Sequence, residues 1–245
     1  MSHPANEGRF PTTRWTLVAR LKSSDEAAVR RALDDLCSQY HYPLYCYIRR
    51  RGLHHYDAQD ALHDFMAKLL RTRAFEDAEP EKGHLRAFLS TALHRFLINW
   101  HEHIAQRRRE ISMDAGHMSD VNAVRFEREK FTELDTPDRV FERKWAQELL
   151  MRVLTEMAAI YAERGKADLF EVLKPVILHG GSLRGEDSAA LAAKLGITEP
   201  TLRKALQRAL SEYRKVLEKE VLQTVASADQ VEEEIAYLRA LFGGR

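Results

Sequence analysis

Residues 187–217 read DSAALAAKLGITEPTLRKALQRALSEYRKVL. Leu191 and Leu195 form one short apolar stripe, while Leu202, Leu206, Leu210, Tyr213 and Leu217 form a longer one at helical steps. Gly196-Ile197-Thr198 stands between them. Glycine enters the left-handed conformation that a sharp turn requires, and Ala192 and Ala193 are small enough to let the first helix pack closely. The pattern predicts a helix-turn-helix. In such a unit the second helix lies in the major groove, with side chains near its start reaching base edges and later basic residues holding phosphates. Thr201, Arg203, Lys204, Gln207 and Arg208 occupy those places behind Glu199. Thr201 to Lys219 holds six basic residues against two acidic ones, a local excess of four positive charges. A charged amphipathic helix is as often a plain solvated face, and the preceding helix and turn tip the balance toward DNA.

The segments upstream also read as helices. Thr136-Pro137 is a helix start, with threonine as N-cap and proline at the first position, and Phe141, Trp145, Leu149, Val153 and Met157 continue it as a buried stripe to Arg164-Gly165. Phe170, Leu173, Val176 and Ile177 predict a short helix before Gly180-Gly181. Further back, Trp15 to Leu21 predicts a short helix, and Ser24 is expected to cap a second one through Leu36. The aromatic stretch Tyr40 to Ile48 runs into Arg49-Arg50-Arg51 and ends at Gly52. From Asp57 to Leu70, Ala58, Ala61, Leu62, Phe65, Leu69 and Leu70 fall on a buried stripe and Asp57, Asp60, His63 and Asp64 on an acidic outer face. After a turn at Pro80, Lys82 and Gly83 comes a long helix from Leu85 to Ile104, with Phe88, Leu89, Ala92, Leu93, Phe96, Leu97 and Trp100 at helical spacing. Arg107 to Asp135 has no sustained period and reads as a linker with at most one helical turn. At the other end Ser227 and Gln230 match a capping box, and Val231, Ile235, Leu238 and Phe242 line one edge of a final helix.

Composition agrees with an all-α protein. The 245 residues are 44% hydrophobic and 31% charged, with 11 Gly and 7 Pro, too little turn material for a dense β architecture. No run approaches the apolar length of a membrane span, and Met1 to Arg14 lacks the apolar stretch of a signal peptide, so a cytoplasmic location is expected. Cys37 and Cys46 read as reduced packing residues. The net charge of +1 does not announce a polyanionic partner, but the charge is sorted by region: basic at Arg49–Arg51, Arg107–Arg109 and Thr201–Lys219, acidic at Asp57–Asp64 and at Asp229, Glu232, Glu233 and Glu234.

Catalytic motifs fail on spacing. His101-Glu102-His103 lacks the second zinc histidine, because Ala105 stands where it must be. His63-Asp64 is reminiscent of metal phosphohydrolases, but no spacing selects a partner among His41, His54, His55, Asp114 and Asp120. Walker, dinucleotide-binding and nucleophile-elbow motifs do not occur. No enzymatic activity, metal or cofactor is expected.

The run Leu36…Tyr40…Pro43-Leu44-Tyr45…Tyr47-Ile48-Arg49-Arg50, then Asp57-Ala58-Gln59-Asp60-Ala61-Leu62-His63-Asp64-Phe65, then Phe88-Leu89…Ala92-Leu93-His94-Arg95-Phe96, resembles region two of the extracytoplasmic-function sigma factors of bacterial RNA polymerase. Ala189 to Leu217 is similar to their region four. The ordered pair covers roughly two thirds of the chain. The resemblance implies two helical domains: a region-two bundle over residues 12–106, a linker over 107–135, a region-four helix-turn-helix over 136–222, and an acidic extension over 223–245. It further implies a subunit that docks Asp57, Asp60 and Asp64 on the β′ coiled coil of core polymerase and meets the β flap through region four. His84, Arg86, His94, Arg95 and Asn99 would open and read the minus-ten element of promoter DNA. Thr201, Arg203, Lys204, Gln207 and Arg208 would read the minus-thirty-five element. An anti-sigma factor is a further partner of the class.

Phe88 stands where the family often has Trp, Gln59 where it often has Glu, His63 where Gln is frequent and Arg95 where Asn is common. The acidic tail is expected to pack on the C-terminal domain and shield its basic surface. The rival reading is a helix-turn-helix regulator that binds DNA without engaging polymerase, and it differs in needing no exposed acidic helix.

Overall fold

Asp25, not Ser24, opens the longest N-terminal helix. Its carboxylate accepts the Ala27 N–H at 2.9 Å, while Ser23 Oγ accepts the Asp25 N–H. In the computed structural model, which describes residues 14–72, 84–107, 121–184, 187–225 and 227–243, the described residues form helices and turns without strands. The turn expected at Pro80, Lys82 and Gly83, the arginines Arg108 and Arg109, and Asp114 and Asp120 lie outside those residues. The chain divides into two units, Met1–Ala146 with Leu222–Arg245, and Gln147–Val221.

The first unit holds α1 (Arg14–Leu21), α2 (Glu26–Arg50), α3 (His55–Arg71), α4 (Leu85–Arg107), α5 (Val121–Glu127), the start of α6 (Pro137–Glu163) and, from the far end of the chain, α10 (Val231–Gly243). α2 joins what the apolar pattern suggests as two elements into 25 residues, with Pro43 inside it. It packs against α1, α3 and α5, and α3 packs against α4. Leu36, Leu44, Ile48, Leu62, Phe65, Leu89 and Leu93 form the core. The buried tyrosines of α2 bring polar ends with them: Tyr45 Oη lies 3.0 Å from His55 Nδ1 and accepts from Arg49 at 2.8 Å, and Tyr47 Oη lies 3.2 Å from His94 Nδ1. Gly52, at φ +94°, follows the helix end as expected. Leu70, expected inward, is exposed.

Residues 121–135, expected in the linker, are folded onto this unit. The Arg125 guanidinium sits 3.6 Å from the Tyr42 ring centroid, Phe126 meets Tyr45 edge-on at 6.1 Å, and Arg49 lies 4.6 Å over Phe126. Arg50 donates to the carbonyls of Asp135 and Thr132. Lys144, fully buried on α6, is ion-paired with Glu129. Thr136 Oγ1 accepts the Arg139 N–H at 3.3 Å with Pro137 at the first helical position, as the sequence predicts.

The second unit consists of the later part of α6, then α7 (Ala167–Leu178), α8 (Ser188–Lys194) and α9 (Glu199–Leu222). The predicted stripe of α6 is buried along its whole length, and Phe170, Leu173, Val176 and Ile177 of α7 are buried too. α9 is tied to α6 by Arg152–Glu220 at 3.2 Å and Lys219–Glu156 at 2.6 Å. Gly181 (φ +72°) lies so close to α9 that an added Cβ would stand 2.7 Å from Leu210 Cδ2.

The tail departs from expectation in two ways. Ser227 makes no side-chain cap; a 3-10 turn at Ala228–Gln230 leads into α10, whose Phe242 is exposed. α10 is also grouped with the first unit, where Glu234 pairs with Arg86 of α4 and Tyr237 meets Glu142 at the start of α6.

Candidate nucleic-acid interface

The two helices and their turn form where expected, but of the two apolar stripes only Leu202 and Leu206 are fully buried, while Leu191, Leu195, Leu210, Tyr213 and Leu217 are half-buried. Asp187 caps α8 by accepting the Ala190 N–H at 2.9 Å, Gly196 takes φ +64° at the turn, and Thr198 Oγ1 lies 2.9 Å from Thr201 Oγ1 at the entry to α9. Leu202, Leu206 and Ala209 are buried, which leaves Thr201, Arg203, Lys204, Gln207 and Arg208 exposed on the opposite side. Ser188 Oγ donates to Glu199 at 2.7 Å, and Glu199 in turn accepts from Arg203 at 3.1 Å, so a short polar chain links the first helix to the second.

Thr201, Lys204 and Arg208 share a groove of about 460 Å³ with Arg164 and Lys166 from the α6–α7 junction, above an apolar floor that includes Tyr161, Leu195 and Ile197. Arg164 and Lys166 are the site residues that sequence reading missed. Their signal was present as two cations flanking Gly165, the glycine that ends α6 at φ +65°. Arg164 is held by Glu212 through both terminal nitrogens at 2.8 Å.

The residues proposed on α4 separate into two groups. His94, Arg95 and Asn99 are exposed. His94 Nδ1 is 3.1 Å from Arg51 Nη2, which brings one arginine of the 49–51 cluster to the same face, and Asn99 Nδ2 donates to the Arg95 carbonyl at 3.4 Å. Arg86 is different. Only 7% exposed, it is bound by both oxygens of the 4% exposed Glu234 and lies between the rings of Trp145 and Tyr237, at 4.4 and 4.9 Å. Its guanidinium is spent inside the fold, so the expected DNA contact by Arg86 is corrected. His84, half-buried, has Nε2 3.8 Å from the same carboxylate. Burial and the Glu142 carboxylate raise the Tyr237 hydroxyl above its ordinary range, which keeps it neutral beside the pair.

On α3, Asp60 and Asp64 are exposed and Asp57 is half-exposed, beside exposed His63. Asp64 accepts from Trp100 Nε1 at 3.2 Å, which fixes one carboxylate of this face against α4. Among the described residues no group of three or more His, Cys, Asp or Glu side chains is placed to hold a metal ion, and no helix is long and apolar enough to cross a membrane. The chain matches no family model, no curated protein and no solved structure among known proteins.

Proposed function

We propose that this protein is a sigma-type promoter-specificity subunit of bacterial RNA polymerase, working in the cytoplasm without catalysis of its own. The observation that carries the reading is the outward face of α9: behind a glycine turn, five polar or cationic side chains are exposed while Leu202, Leu206 and Ala209 are buried. The acidic side of α3 supports the second half of the proposal, since it offers carboxylates to a basic partner surface. His94, Arg95 and Asn99 on α4 would meet the minus-ten element, and Thr201 with the exposed side chains behind it the minus-thirty-five element. The β′ coiled coil, the β flap and an anti-sigma factor remain the partners of this reading.

One observation favours the rival regulator. With Arg86 buried, the start of α4 offers less to DNA than the family pattern implies, whereas the polar face of α9 is exposed at all five expected positions. Reconstitution with core polymerase and transcription from a library of genomic fragments separates the two. Initiation from discrete fragments supports the sigma reading; retention of duplex DNA by the chain without any association with core polymerase would establish the regulator.

A further inference from the structure

The polar surface of α9 has two unlike flanks. On one, Lys204 and Arg208 face Arg164 and Lys166 across the groove, four cations against one carboxylate, Glu212. The charged ends of Lys166, Lys204 and Arg208 have no carboxylate partner among the described residues. Glu212 uses two of the five guanidinium donors of Arg164, whose side chain remains 53% exposed, so the carboxylate holds this arginine at the rim without closing it. On the other flank Arg203 and Gln207, one helical turn apart, project away from the groove. Arg203 is braced by Glu199, itself fixed by Ser188.

These arrangements suit different tasks. A row of cations in excess over carboxylates along an open groove attracts phosphates whatever the bases. A guanidinium oriented by a fixed carboxylate, followed by a glutamine, is suited to the paired acceptors of guanine and to the acceptor and donor of adenine. We infer that α9 divides its labour: Arg164, Lys166, Lys204 and Arg208 grip the phosphates of one DNA strand, and Arg203 and Gln207 alone read sequence. The inference rests on α9 being a DNA-contacting helix; it moves Lys204 and Arg208 from base reading to anchoring and takes Thr201, which lines the same groove, out of base reading.

The test uses the full chain, alone and with core polymerase, on a duplex pool with a randomised central segment. The preferred duplex and a scrambled one are then titrated between about 50 and 200 mM salt. Arg164→Gln, Lys166→Ala, Lys204→Ala and Arg208→Ala should each weaken both duplexes alike and flatten the salt slope by about 0.9. Arg203→Ala and Gln207→Ala should cut the preferred-to-scrambled ratio by about 5- to 150-fold. Glu199→Gln should lower that ratio with the salt slope unchanged. Wild-type salt slopes for Arg164→Gln and Lys166→Ala, or loss of discrimination in Lys204→Ala as large as in Arg203→Ala, would overturn the division while leaving α9 a reader. If no sequence is preferred in either condition, or all six alanine and glutamine variants at these cations and Gln207 bind like wild type, α9 is not the DNA contact and the proposed function falls with the inference.

Discussion

Arg86 and Glu234 lie 148 residues apart in the chain and meet in the interior of the first unit, joined by two hydrogen bonds, the longer at 3.0 Å. The pair is one attachment of α10, beside the buried Ile235 and Leu238, and it makes the C-terminal helix a structural component of the first unit.

A buried pair is expensive to break from one side, because the charge left behind has lost its solvent and its partner. Arg86→Ala or Glu234→Ala should each cost about 3–5 kcal/mol in urea unfolding, whereas the double replacement Arg86→Met with Glu234→Leu should lie close to wild type. Equal losses in the single and double variants would show that packing, not charge, holds α10.

Asp135 sets an acid dependence. Hydrogen bonding from Arg143 first, and then from the Thr132 N–H and hydroxyl, holds its carboxyl down to about 2 despite burial. A depressed folded-state value means that the stabilisation is complete above the ordinary carboxylate range and is lost as pH falls through about 2. Wild type should therefore exceed Asp135→Asn by about 2 kcal/mol near neutral pH, with the difference shrinking between about pH 4 and 2. A constant difference across that window would remove the carboxylate from the account.

The α3 face predicts partner binding separately from folding. If the proposed function holds, reversing Asp57, Asp60 and Asp64 to Lys should weaken association with core polymerase by at least about a hundredfold, since opposed like charges cost several kcal/mol. Far-UV circular dichroism should not change. Asp64→Asn keeps an acceptor for Trp100 and should fold as wild type.

Gly181 and Gly196 should differ on substitution by alanine. Both have left-handed backbones, worth about 1–2 kcal/mol of strain to an L residue, but the Cβ at 196 meets open space while the one at 181 meets Leu210. Gly181→Ala should be the more destabilising of the two, read from denaturant midpoints, because the Leu210 side chain must also move.

Thiol labelling tests the α2 core. Burial pushes the Cys46 thiol up to about 12, and burial followed by Asp34 raises Cys37. Neither should react with a disulfide reagent at pH 8 as fast as a free thiol, and Cys46 should label only on unfolding. Rapid native-state labelling of Cys46 would show that this part of α2 opens.

Where burial depends on near neighbours, the residues announced it. Thr136-Pro137 and the spacing from Phe141 to Met157 marked α6 because an N-cap and an apolar stripe are properties of consecutive turns. The α8–α9 turn was legible for the same reason, as Gly196 is needed within its own turn. Ser24 and Asp25 could not be told apart as caps, because both are good acceptors and the choice rests on one residue of register. The groove partners of Lys204 and Arg208 were hidden, since Arg164 and Lys166 come from a different helix junction.

Helix periodicity, end signals and the sorting of charge into an acidic α3 and a basic α9 are written in the chain, because each is an interaction among residues a few positions apart. The burial of Arg86, the docking of residues 121–135 on α2 and the sharing of one groove by two helix junctions arise only on folding. They depend on groups far apart in sequence whose charges and rings acquire value when water is excluded between them.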